Sequence, residues 1–196
     1  MAAAPLWHPE RVPSGAGAVV SPARPRDVHL VPDPAAGDEA TGEVGERHRV
    51  MLVCSSGGHL AQLLQLRPWW EGHDRVWVSF HTEDVVTALR GERLYFGHHP
   101  TTRNIPNLLR NLHLAWRTLR RERPDVVISD GAGVAVPFFW VARAIGVRTV
   151  YLEVFDRIDL STLTARLCKP VTDVFLLQWP EQRRFYRRGV VVGTLL

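Results

Sequence analysis

From residue 49 onward the chain alternates between short apolar runs and longer segments with helical spacing. The runs Arg49–Cys54, Arg75–Phe80, Arg93–Phe96, Asp125–Ser129, Arg148–Leu152 and Asp173–Leu177 read as buried strands. Val190–Val192 reads as a seventh. Between the first two runs, Leu60, Leu63, Leu64 and Leu66 fall on one face of a helix. Glu83–Leu89 is a short helix. Asn104–Arg123 is a long amphipathic one, with Leu108, Leu109, Leu112, Trp116 and Leu119 as its apolar face and Pro124 ending it. Gly133–Ile145, closed by Gly146, and Ser161–Lys169 complete the set.

Strand and helix in strict alternation predict an α/β fold, a Rossmann-like parallel sheet with helices on both faces. Right-handed crossovers then bring every strand's carboxyl end to one edge. Ligands of such sheets bind at that edge, where the strand order reverses.

The first 47 residues break the pattern. Proline recurs at positions 5, 9, 13, 22, 25, 32 and 34 and no apolar period survives. Such a segment cannot offset its ordering entropy, so a disordered Pro/Ala-rich tail is expected over 1–47 and a single domain over 48–196. Apolar residues make up 45% of the chain, enough for a real core. No apolar run reaches the roughly 18–20 residues of a membrane span, and no signal-peptide core is present, so a cytoplasmic or peripheral protein is expected. The two cysteines, Cys54 and Cys168, lie in apolar runs and read as buried thiols. No metal-ligand spacing stands out, so no metal is expected.

Three loops at the predicted edge carry polar groups. The first is Ser55-Ser56-Gly57-Gly58-His59. Two glycines followed by a helix start make an anion site suited to a phosphate or diphosphate. The loop lacks the Lys-Ser/Thr pair of a P-loop and the glycine spacing of a dinucleotide fingerprint. Its glycines would alternatively serve close strand–helix packing. His59 could face solvent, donate to a phosphate or act as a general base. The second loop, Ser129-Asp130-Gly131-Ala132-Gly133, offers a carboxylate that either caps the next helix or meets a sugar hydroxyl. In the third, Glu153-Val-Phe-Asp-Arg157, Glu153 follows a very apolar strand. An unpaired carboxylate there is costly, so Glu153 is paired, with Arg157 as one partner, or poised for function.

The net charge is +4. Arg103, Arg110 and Arg117 are spaced by seven along the long helix, with His99 and Arg120 nearby and the pairs Arg183-Arg184 and Arg187-Arg188 further on. This is either a solvated face or one that meets anionic lipid headgroups.

These motifs occur in a recognisable order. The two glycine loops are followed by Tyr151-Leu152-Glu153 with Arg157, Leu160-Ser161-Thr162-Leu163-Thr164, Gln178-Trp179-Pro180 and Gly193-Thr194-Leu195. Residues 49–196 resemble the acceptor-side, membrane-anchoring subunit of the bipartite UDP-GlcNAc transferase of dolichol-linked oligosaccharide synthesis. They are similar also to its bacterial counterparts in exopolysaccharide and capsule synthesis. The resemblance implies the N-terminal half of a GT-B glycosyltransferase, like that half of the peptidoglycan lipid II-forming GlcNAc transferase. The reaction it implies is inverting and needs neither metal nor cofactor. The UDP-sugar is a co-substrate bound mainly by a separate donor-binding subunit. By position, Ser55, Ser56, Gly57, Gly58, Gly131, Gly133 and Arg157 would hold the diphosphate of a polyprenyl-diphosphate-linked acceptor. His59 would be a catalytic base or diphosphate ligand, with Glu153 and Asp130 as alternatives. Two departures from the family pattern stand out: a Pro/Ala-rich segment where many members carry a membrane helix, and Ala132 where proline is expected. The implied setting is the inner face of the plasma membrane, with no nucleic-acid partner. A non-catalytic scaffold that recruits the donor-binding subunit is the alternative.

Overall fold

The structure, a computed structural model, describes residues 47–195. The expected tail therefore lies outside the described residues, apart from Arg47. The seven predicted strands form one parallel sheet in the order β3-β2-β1-β4-β5-β6-β7. They are β1 (Arg49–Val53), β2 (Asp74–Ser79), β3 (Arg93–Phe96), β4 (Val126–Ser129), β5 (Arg148–Leu152), β6 (Val174–Leu177) and β7 (Val190–Val191). Residues Val50 to Val53 are fully buried on both faces, as a central parallel strand requires. β1 pairs with β2 on one side and β4 on the other, and the β1–β4 rungs end at Val53 opposite Ser129. The chain thus reverses direction across the sheet between β1 and β4.

The helices are α1 (Gly58–Gln65), α2 (Arg67–Trp70), α3 (Glu83–Ala88), α4 (Ile105–Glu122), α5 (Ala135–Ala144) and α6 (Leu163–Cys168). Right-handed crossovers place α1 to α3 on one face and α4 to α6 on the other. Consistent with this, α5 packs against both α4 and α6. The expected first helix breaks at Leu66, where Pro68 opens the short α2 that buries Trp69 and Trp70. The core joins Met51, Val53, Val127, Phe138 and Phe139 with Tyr151. Burying each of the larger side chains contributes about 1.5–3 kcal/mol.

α4 departs from the sequence expectation in its orientation. An amphipathic pattern ordinarily turns its apolar stripe to the core. Here Leu119 is buried, but Leu108, Leu109, Leu112 and Trp116 are 41–60% exposed, and Ile105 is 69% exposed. The inward side carries Asn107, Asn111, Ala115, Thr118, Leu119 and Glu122. Polar anchoring explains the inversion. Asn111 accepts from His98 N–H and donates to His98 C=O, at 2.7 and 2.8 Å. Asn107 Nδ2 donates to Pro100 C=O at 3.0 Å. Glu122 binds the Tyr95 hydroxyl and Arg93. Turning α4 the other way would leave these buried groups unpaired, at about 1–3 kcal/mol each.

Candidate active site

The edge formed by the strand carboxyl ends brings two of the three polar loops face to face. The β1 loop ends in Gly57, with φ 68°, which caps α1. His59, the second residue of α1, turns its ring toward the β4 loop, and its Nδ1 lies 3.0 Å from Asp130 Oδ2. Asp130 is fully buried, while 31% of the His59 side chain remains open. Neither Asp130 carboxylate oxygen accepts a hydrogen bond of good geometry, and the charge partner beside it is the His59 imidazole. Burial pushes the Asp130 carboxyl up to about 6, against the opposing pull of His59. Burial also works against charge on His59, but Asp130 outweighs it and raises the imidazole pKa. With Nδ1 close against the carboxylate, Nε2 is the nitrogen left for a ligand. Asp130 does not cap the next helix, whose N-terminus at Val134 has no side-chain cap hydrogen bond.

The glycines of the two loops differ. A Cβ added at Gly57 or Gly58 would meet no atom within 4 Å. Close strand–helix packing therefore does not account for them, and the amides of Gly58 and His59, opening α1, have no intrahelical acceptor. In the second loop, Gly131 has φ 115° and a Cβ there would stand 2.8 Å from the Tyr151 hydroxyl. A Cβ at Gly133 would lie 2.7 Å from the Thr101 side chain. Packing thus accounts for both glycines. Between them Ala132 has φ 59°, an angle closed to proline.

The third loop corrects an expectation. Glu153 is fully buried, and its carboxylate accepts from the Tyr186 hydroxyl, not from Arg157. Burial raises its pKa despite that hydrogen bond. Arg157 is exposed beside Asp156, their side chains 3.9 Å apart. Ser55 and Ser56 are half-buried in the first loop, and Ser55 Oγ donates to Ser56 C=O at 3.4 Å. The backbone around Glu153 is clamped by residues whose role the sequence did not reveal. Gln178 Nε2 donates to Glu153 C=O at 2.9 Å, Gln182 Nε2 to Val154 C=O at 3.1 Å, and Trp179 Nε1 to Phe155 C=O at 2.7 Å. The Gln178-Trp179-Pro180 motif is therefore a buckle for the third loop. Only its unusual side-chain set hinted at this.

Among the described residues, no group of three or more His, Cys, Asp or Glu side chains is placed to hold a metal ion. No described helix is long and apolar enough to cross a membrane.

A seven-stranded parallel sheet whose order reverses between β1 and β4 has the form of a Rossmann-like half of the GT-B architecture. Solved structures agree. The chain superposes on Acinetobacter baumannii MurG with a TM-score of 0.58 at 20% identity, covering 68% of this chain and 42% of that one. It superposes on a Rickettsia bellii UDP-N-acetylglucosamine 2-epimerase with a TM-score of 0.59 at 13% identity, covering 71% and 41%. The chain thus spans about two fifths of these structures.

Residues 98–195 match the family described as oligosaccharide biosynthesis protein Alg14 like, and the chain belongs to that family. Its relatives include the human protein named UDP-N-acetylglucosamine transferase subunit ALG14, 22% identical over 178 residues, covering 75% of this chain and 82% of the human one. The Eremothecium gossypii protein of the same name is 25% identical over 191 residues, covering 82% and 85%.

Proposed function

We propose that this chain is the acceptor-binding subunit of a two-chain inverting glycosyltransferase. The enzyme moves GlcNAc from UDP-GlcNAc to a polyprenyl-diphosphate-linked acceptor, and the partner chain holds most of the donor. The observation that carries this reading is the His59–Asp130 pair, 3.0 Å apart, beside a glycine turn open to ligand. The names of the Alg14 relatives supply the sugar, and their description as a transferase subunit supports a second chain.

In this reading the amides of Gly57, Gly58 and His59 receive the acceptor diphosphate, with Ser55 and Ser56 alongside. His59 Nε2 takes the proton of the attacking acceptor hydroxyl. The freed oxygen bonds to the anomeric carbon as the C–O bond to UDP breaks, and UDP leaves with the electron pair. Asp130 touches no substrate. It fixes the ring tautomer and stabilises the imidazolium that forms, so it is a positioning residue. Gly131 and Gly133 let the second loop pack close enough to hold Asp130 in place. Glu153, sealed beneath Tyr186, shapes the third loop, which brings Arg157 to the rim.

The outward stripe of α4 receives the membrane surface. Ile105, Leu108, Leu109, Leu112 and Trp116 fall within one arc of about 100°, flanked by Arg110, Arg117 and Arg120. The Arg120 guanidinium lies 5.0 Å from the Trp116 ring centroid. Exposed apolar side chains fringed by arginine suit the interface of a membrane with anionic headgroups. That surface, on the cytoplasmic side, is where a lipid-linked acceptor would be met.

The test is reconstitution with the donor-binding partner. The chain alone should transfer no sugar, and the pair should. His59→Ala in the assembled pair should lower kcat by about 10²–10⁴-fold. An assembled His59→Ala pair with unchanged turnover would leave only the scaffold role.

A further inference from the structure

The amide of Gly57 is already occupied by a carboxylate. Gly57 N–H donates to Asp84 Oδ2 at 2.8 Å. Asp84 is the second residue of α3, which follows the strand next to β1, and it is exposed. The neighbouring Thr82 hydroxyl and the Gly57 N–H hold its pKa below the ordinary carboxylate value, so it is ionised across the working pH range. The glycine turn, read above as a diphosphate cradle, thus carries an internal anion on its first amide. One N–H cannot serve both a carboxylate and a phosphate oxygen, and two anions on one small turn repel.

We propose that Asp84 is a built-in stand-in for the acceptor's phosphate: it holds the empty turn in its binding shape and must be displaced from Gly57 when the acceptor arrives. This rests on the diphosphate-cradle reading and adds a residue that limits acceptor affinity. The next amides, of Gly58 and His59, open α1 and have no intrahelical acceptor. They give the incoming phosphate a foothold before Asp84 lets go. The same contact favours release of the glycosylated lipid, which still carries its diphosphate.

The experiment uses the reconstituted two-chain enzyme and measures the KM for a polyprenyl-diphosphate-linked acceptor, with inorganic pyrophosphate as a competing probe. Asp84→Asn removes the charge and keeps an oxygen for Gly57. It should lower acceptor KM by about two- to fivefold, the scale of one exposed like charge, and tighten pyrophosphate inhibition equally. Glu83→Gln, one position earlier with the same change in net charge, should alter neither. A purely structural Asp84 predicts the opposite sign, weaker binding. An unchanged or raised KM in Asp84→Asn overturns the proposal, as does an equal effect from Glu83→Gln. Should Asp84→Asn fail to assemble with the partner, Asp84→Ser tests the same expectation. Gly58→Ala separates the two readings. If it raises acceptor KM while Asp84→Asn does not lower it, the cradle stands and the stand-in falls. If neither variant alters KM, both fall.

Discussion

Gly57 and Gly58 sit beside open space, whereas Gly131 and Gly133 are hemmed in by Tyr151 and Thr101. Both loops follow a buried strand at the reversal point, both carry two glycines, and each contributes one member of the His59–Asp130 pair. One loop lacks Cβ atoms where a ligand would approach; the other lacks them because protein fills the space. Similar glycine patterns thus leave open space in one place and serve packing in the other. The second loop packs tightly around Asp130, which lies against a histidine on the first.

The sharpest way to break this comparison is to cut the link between the loops. Asp130→Asn should lower kcat of the reconstituted enzyme by about 10²–10⁴-fold, since the tautomer and the stabilising charge are lost together. It should also move the acidic limb of the pH–rate profile. A general base must be deprotonated, so wild-type activity falls as pH drops through the His59 pKa, which Asp130 raises. Without that charge the limb shifts to lower pH. An unmoved limb would assign it to another group.

Next in size is a contrast in stability. Gly131→Ala forces a Cβ against the Tyr151 hydroxyl at a positive φ and should cost about 2–4 kcal/mol in urea unfolding. Gly58→Ala should change stability by less than about 0.5 kcal/mol, because its Cβ meets nothing. Equal losses from the two would erase the distinction. Functionally the order reverses: Gly58→Ala should raise acceptor KM by about tenfold, from crowding of the phosphate at the amides.

The smallest effect belongs to the outer face of α4. Arg110→Ala and Arg117→Ala should each weaken sedimentation with anionic vesicles by about 1 kcal/mol, roughly fivefold, and less at high salt. Binding that ignores salt and both substitutions would assign this face another partner.

Much of the fold was legible along the chain. Val50–Val53 and Val126–Ile128 read as buried parallel strands because both faces are apolar, and the register confirms it. The alternation of strands and helices gave the sheet and its functional edge, and Asn104 and Pro124 bracketed α4 to within a residue. The facing of α4 was not legible. Its strongest apolar stripe points outward because Asn107, Asn111 and Glu122 have buried partners on distant segments. Nor was the partner of Glu153, since Tyr186 lies 33 positions along the chain and meets it only once β5 and β6 are side by side.

Local chemistry is written in neighbouring residues, so the chain alone determined the strands, the helix limits, the two glycine turns and the candidacy of His59, Asp130 and Glu153. Which of those groups face one another depends on contacts between residues far apart, and only the folded sheet decided it. Pairing of β1 with β4 set His59 against Asp130, that of β5 with β6 closed Glu153 beneath Tyr186, and that of β1 with β2 laid Asp84 on the Gly57 amide. A carboxylate's role follows from what desolvates it and what it touches, and both are properties of the tertiary structure.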